Sequence, residues 1–431
     1  MSPRIHVRGG HLVDPKSGVD EKRDLYLADG RVVAAGAPPD GFRADRTIDA
    51  SGLVVAPGLV DLAARLREPG LEYKATLESE MLAAVAGGVT SLACPPDTDP
   101  PLDEPGLVEM LTRRARSINL AKVYPVGALT AKLAGERLTE MAELSDHGCV
   151  AFSQADAPIT DTQVLWRALQ YAATFGFAVW LRPQDSFLAR NGVAHDGDFA
   201  TRLGLPGIPA IAETVAVGTI LQLVRATGTR IHLCRLSTAE GVAMVRAAKR
   251  AGLPVTCDVA VHHLHLCDVD IGYFDSRAHV VPPFRASRDR DALRAGVADG
   301  SIDAVCSDHT PVDEDAKQTP FGESEPGATG LELLLPLALK WGEEARLPLD
   351  RTIASVTSAP ARVLGTDAGH LGIGAPGDIC IFDADAHFRV VADALRSQGK
   401  NTPYLGYELP GVVRFTLVRG DVRYEASGER R

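Results

Sequence analysis

The sequence contains no apolar run approaching the roughly 18–20 residues that a membrane-spanning helix needs, so no membrane partner is expected. Its opening stretch, MSPRIHVRGGHLVD, contains no apolar h-region, and no signal peptide is expected. There is no basic stripe either. Charges of both signs are interspersed and the formal net charge is -11, which argues against a nucleic-acid partner. Cys-x-x-Cys pairs are absent. The seven cysteines (94, 149, 234, 257, 267, 306 and 380) stand singly, several in apolar runs such as SLACP and DAVCS. That usage fits reduced, buried cysteine in a cytoplasmic protein. Internal repeats and low-complexity tracts are also missing.

What is present is a globular chain of 431 residues, 45% hydrophobic, long enough for one large domain and a smaller one. The first 50 or so residues read as short strands broken by Gly and Asp-Gly turns, as in RIHVRGGHLVD and DLYLADGRVVAAG. The same texture returns in GDICIFDAD and GVVRFTLVRGDVRYEA. Residues 1–55 together with 366–431 are therefore expected to form one small β-sandwich-like domain.

Residues 56–365 alternate instead. Eight short apolar runs, from VVAPGLVDL to DAVCS, are separated mostly by helical patterns. Two of those patterns, DTQVLWRALQYAATFG and STAEGVAMVRAAKRAG, open on Asp or Ser in a cap-like position and close on Gly. Eight parallel β/α units predict an α/β fold of the (β/α)8 TIM-barrel type, with the site at the C-terminal ends of the strands. A long Pro- and Gly-rich loop, HTPVDEDAKQTPFGESEPGATG, follows the eighth strand, and loops of that length are commonly functional or mobile.

The strand ends carry motifs in a fixed order: PGLVDL, LREPG, GGVTSL, HHLHLCD, VVPPFR, SDHTP and GATGLE, then the tail SQGKNTPYLGYELPG. In this order, over nearly the whole length, the chain resembles a dihydroorotase of the long type in the amidohydrolase superfamily. The resemblance implies a two-zinc site that hydrates the amide carbon of dihydroorotate, with His and carboxylate ligands and an open position for hydroxide.

The residues at the implied ligand positions depart from that pattern. The His-x-His pair after strand one falls on Ala63 and Arg65, and the bridging position of strand four on Gln154 and Ala155. The strand-five and strand-six histidines fall on Arg182 and Arg235, and only Asp308 is retained, on strand eight. Alanine cannot ligate, and a guanidinium stays protonated without a lone pair to offer. No zinc and no other cofactor are expected. Of the implied substrate contacts, Arg67 and His309 are kept as vestiges, whereas Asp97 and Val281 stand where asparagines are implied.

Arg65, Arg182 and Arg235 are predicted to converge on the vacated metal space. Unpaired burial of several guanidiniums would be prohibitive, so they are expected to pair with Asp308, Asp97 or Asp156, or else to bind an anion. The ion-pair reading is preferred, with Arg182 and Arg235 as partners of Asp308. His262, His263 and His265 read as structural histidines rather than a new metal site.

The favoured reading is a catalytically inactive dihydroorotase-like subunit of pyrimidine biosynthesis. Its implied partner is aspartate carbamoyltransferase, in a homo- or hetero-oligomer. Two alternatives stand beside it. One is a metal-dependent cyclic amidohydrolase of hydantoinase or allantoinase type with an altered site, although no carboxylated-lysine candidate appears at strand four. The other is an anion-binding sensor that uses Arg67 and its neighbours.

Overall fold

The structure is a computed structural model and describes residues 3–426. Eight parallel strands form the barrel: Leu59–Asp61, Val89–Cys94, Lys122–Ala128, Ala151–Ser153, Ala178–Leu181, Arg230–Leu233, Val255–Ala260 and Ala304–Cys306. Most are buried on both faces, which explains their continuous apolar sequence.

Strands one and eight do not share a regular ladder; side chains and loop backbone close the barrel between them. The buried Asp61 carboxylate receives the Ser307 amide at 2.8 Å and also the Ser307 hydroxyl. Just beyond, the His309 amide donates to the Ala63 carbonyl at 2.9 Å, and the Arg65 amide donates to the His309 carbonyl at 2.9 Å. The first residues of the strand-one and strand-eight loops are therefore held side by side.

The chain ends build two further sheets. Ile5–Arg8, Leu25–Ala28, Arg31–Ala35 and Arg46–Asp49 form one. The other joins His11–Asp14, Val19–Lys22 and Val54–Pro57 to Ile379–Arg389, Glu408–Val418 and Asp421–Glu425. Ile5, Leu25, Leu27 and Ile48 from the first sheet share a buried core with Val55, Ile379, Ile381 and Leu417 from the second. The apolar run VVAPGLVDL serves both units. Its first half pairs in the terminal sheet and its second half opens the barrel, with Gly58 between. A Cβ at Gly58 would lie 2.2 Å from the Thr90 side chain, so glycine permits this close crossing.

Local signals act mostly as the sequence suggests. Asp161 caps the helix Thr162–Phe175 by accepting from the Gln163 amide, and Gly176 ends it in the left-handed region. The cap of Ala239–Arg250 is Thr238, not Ser237. The amides and hydroxyls of both Ser237 and Thr238 donate to the buried Glu213, and Thr238 also accepts from the Gly241 amide.

One feature has no counterpart in the alternation. Between strands five and six the chain makes an excursion with two short strands, Ala194–His195 and Gly207–Ile208, and a helix, Asp198–Leu203. No helix among the described residues is long and apolar enough to cross a membrane. All seven cysteines are free, and only Cys234 is not fully buried.

Candidate functional site

The C-terminal ends of the barrel strands bring together three arginines and three aspartates. Arg65 follows strand one with its side chain 6% exposed. Its Nε donates to Asp97 Oδ2 at 2.6 Å and its Nη2 to Asp156 Oδ2 at 2.6 Å. Its Nη1 reaches Thr310 Oγ1 at 2.9 Å and Asp308 Oδ1 at 3.4 Å. Arg235, after strand six, donates to Asp308 Oδ1 at 2.9 Å and to Asp156 Oδ1 at 2.6 Å. Arg182, after strand five, donates through Nε to Asp156 and through Nη1 to Gln184 Oε1 at 2.6 Å. The expected pairing of Arg182 with Asp308 is therefore corrected: Arg182 pairs with Asp156, while Asp308 pairs with Arg235 and Arg65.

Asp156 is the hub, bonded to all three guanidiniums. Burial alone would raise its pKa, but Arg235, Arg182 and Arg65 outweigh burial and hold the carboxyl far below its ordinary range. Asp308 behaves differently. For Asp308 burial dominates the attraction of Arg235 and Arg65, and its pKa is raised. Burial opposes the charge on Arg65 and Arg235, but the carboxylates prevail and raise both pKa values.

Several turns around the cluster have left-handed backbone. Arg67, Ala155, Arg235 and Asp308 all have positive φ, between 47° and 63°. Few residues other than glycine adopt that region, and such conformations concentrate at functional sites. The Arg235 amide is further fixed by Asp258 Oδ1.

The other sequence-derived residues lie around this cluster. Ala63 lines the small space left at the barrel mouth, about 30 Å3, together with Arg65, Ala155, Arg182, Cys234 and Arg235. Gln154 faces away, accepting from Thr130 Oγ1 at 2.9 Å and donating to the Leu133 carbonyl at 2.9 Å. Val281 contributes only its carbonyl, 3.5 Å from Arg235 Nη1. Arg67 is buried under the 309–330 loop, where its Nε donates to the Pro311 carbonyl at 2.8 Å.

His309, expected on the substrate side, is fully buried and turned from the mouth. Its Nδ1 accepts from the Gly330 amide at 3.1 Å, and its Nε2 lies 2.6 Å from Glu80 Oε2. A neutral imidazole with the proton on Nε2 satisfies both contacts. Glu80 was not singled out from the sequence. It also accepts from Ser397 Oγ at 2.7 Å and the Gln398 amide at 2.9 Å, so it ties the C-terminal tail to the strand-eight loop. A signal was present, since Glu80 shares the inward helix face of Leu77, Met81 and Ala84.

His262, His263 and His265 sit after strand seven, and burial lowers their pKa values to about 3, 4 and 4, so they are neutral. His263 and His265 bond the carbonyls of Pro282 and Leu337.

A two-zinc site does not fit the donors at the implied positions. Ala63 offers none, Gln154 is engaged elsewhere, and the Arg65 and Arg235 guanidiniums occupy the space beside Asp308. Among the described residues one trio lies close enough to share an ion: His232, Cys234 and Asp258, with ligand atoms within 4.8 Å of one another. Its donors are already engaged. His232 Nε2 and Asp258 Oδ2 bond each other at 3.0 Å, and burial holds the Cys234 thiol well above its usual pKa. The Arg235 guanidinium adds a neighbouring positive charge that would repel a cation.

The barrel, its terminal sandwich and a site at the strand ends define an amidohydrolase-type protein. Family models described as Dihydro-orotase-like and Amidohydrolase family match residues 52–241 and 199–424. A Dihydroorotase-like protein of Pseudomonas putida is 48% identical over 97% of this chain and 98% of its own length. A Dihydroorotase of Citrifermentans bemidjiense is 40% identical over 97% of this chain and 99% of its own. The L-hydantoinase (dihydropyrimidinase) structure from Arthrobacter aurescens superposes with a TM-score of 0.87 at 26% identity, over 98% of this chain and 96% of that one. The chain belongs to the dihydroorotase-like family of amidohydrolases.

Proposed function

We propose that the chain is a non-catalytic dihydroorotase-like subunit of pyrimidine biosynthesis, which supports the assembly and activity of aspartate carbamoyltransferase in the cytoplasm. The observation that carries the non-catalytic part is the filled barrel mouth. Hydrating a cyclic amide needs an activated hydroxide, a base and a polarised carbonyl. Arg65, Arg182 and Arg235 are protonated and cannot serve as bases. Asp97, Asp156 and Asp308 are all engaged by these arginines. The space that remains, about 30 Å3, is of the order of one water molecule rather than a substrate ring.

The partner half of the reading rests on resemblance to degenerate subunits retained beside aspartate carbamoyltransferase. In that role the fold would be kept for its surface, which places no demand on metal ligands. The test is co-purification with aspartate carbamoyltransferase from the same organism, followed by the mass of the complex and transferase activity with and without this chain. Absence of a complex, or dihydroorotate turnover by the isolated chain, would defeat the reading.

The second reading is a metal-dependent cyclic amidohydrolase with an altered site. It is favoured by relatives named dihydroorotase at 40% identity. Chelator-sensitive hydrolysis of dihydroorotate or hydantoin would establish it.

A further inference from the structure

A larger cavity opens beside the arginine cluster, off the barrel axis. It has a volume of about 250 Å3 and lies between the segment after strand four and the helix Ile211–Thr227. Arg182 and Asp156 form the wall it shares with the cluster. The remaining wall is mixed: Ile159, Leu165, Leu181, Phe187 and Val215 are apolar, and Thr160, Thr162, Ser186 and Thr219 add hydroxyls.

The polar groups of the wall define what it can take. Arg182 is committed to Asp156 and to Gln184 Oε1, and Asp156 is shared among three guanidiniums. Neither is free to neutralise a charged ligand. An anion would face the Asp156 and Asp185 carboxylates, and a cation would face Arg182. Asp185 Oδ1 accepts the amides of Phe187 at 3.0 Å and Leu188 at 2.9 Å. Its Oδ2 has no partner among the described residues and remains an acceptor. Gln184 accepts through Oε1, so its amide nitrogen remains a donor. Ligand pockets commonly combine an apolar wall with a few such groups, and this one falls just below their usual range of about 300–1,000 Å3.

We propose that this cavity binds a small uncharged heterocycle bearing both N–H and C=O groups, of the nucleobase class. Asp185 accepts from the ligand N–H, Gln184 donates to its carbonyl, and the apolar residues of the wall cover the ring. The site is separate from the barrel mouth and does not depend on whether the chain is catalytic.

The experiment is calorimetric titration of the full chain with uracil and adenine as neutral probes, and with orotate and agmatine as charged ones. At least one base is expected to bind saturably at one site per chain, with both charged probes at least tenfold weaker. Ala216→Phe places a ring into the cavity from the helix and should abolish binding. Should that variant not fold, Gln184→Ala serves in its place. It removes the donor to the ligand together with the acceptor of Arg182 Nη1, and should weaken binding by roughly three- to tenfold. The proposal is overturned if neither base saturates, if a charged probe binds as tightly, or if Gln184→Ala and a folded Ala216→Phe both leave affinity unchanged. It is also overturned if Ala216→Phe blocks association with a protein while neither base binds, since the cavity would then seat a protein side chain.

Discussion

Nη2 of Arg235 lies 2.6 Å from Oδ1 of Asp156, and both groups sit just beyond the C-terminal ends of barrel strands. Arg65 and Arg182 converge on the same carboxylate. One anion thus organises three buried cations. Asp156→Ala should leave them short of a partner. The arginine side chains are 6–7% exposed but Asp156 is 35% exposed, so the loss should fall below the roughly 3–5 kcal/mol of a fully buried pair. Asp308→Ala removes a carboxylate bonded to only two guanidiniums, whose charge burial already disfavours, and should cost less. Denaturant unfolding of both variants measures the order. Equal stability of Asp156→Ala and wild type would mean that the cluster is solvated rather than paired.

The pH dependence has a definite sign. The folded pKa of Asp156 is depressed below its unfolded value of about 3.9. Its stabilisation is therefore fully present above that unfolded value and is lost as pH falls through it toward the folded pKa. The stability gap between wild type and Asp156→Asn should be constant from about pH 5 to 7 and should shrink below about pH 4. A gap that widens in acid would contradict the assignment.

Much of this arrangement was legible in the sequence. Parallel β/α units bring all strand ends to one face, so Arg65, Arg182 and Arg235 had to approach each other there. The choice of Asp156 as hub was not legible. It depends on the left-handed turn at Ala155, φ 50°, which the sequence does not announce. The direction of His309 was equally hidden, because its partner Glu80 comes from a helix more than 200 residues earlier. The 184–210 excursion breaks the strand–helix alternation and carries no periodic pattern of its own.

Metal binding provides a third test. The Arg65 and Arg235 guanidiniums beside Asp308, with Arg182 on the neighbouring Asp156, oppose any cation there, so protein dialysed against zinc should retain well under one tightly bound ion per chain. Elemental analysis checks this. Two zinc ions per chain would contradict the ion-pair account, and one would direct attention to His232, Cys234 and Asp258.

Restoring the strand-one pair should fail as a rescue. Ala63→His with Arg65→His supplies two imidazoles but removes the guanidinium that bonds Asp97, Asp156 and Asp308. The strand-five and strand-six positions remain arginines. The double variant should show no dihydroorotate turnover with added zinc, and its unfolding midpoint should fall. Turnover abolished by chelator would show that two ligands and Asp308 suffice.

The tail clamp gives the last test. Glu80 is fully buried and accepts from His309, Ser397, the Gln398 amide and Ser79. Burial raises its pKa, but these contacts, His309 first, outweigh burial and keep it a carboxylate. Glu80→Ala strands several buried donors, each costing about 1–3 kcal/mol when unsatisfied, so the loss should reach several kcal/mol. Glu80→Gln keeps a carbonyl acceptor and the shape, so it should cost less. The clamp joins the 309–330 loop to the tail, and Asn401 reinforces it by donating to the Thr310 and Gly327 carbonyls at 2.9 and 3.0 Å. Limited proteolysis of Glu80→Ala should therefore cut first within 313–320, the exposed part of that loop, before the barrel unfolds. If cleavage instead begins elsewhere, or the loop is cut no faster than in wild type, Glu80 supports the barrel generally and does not hold the loop to the tail.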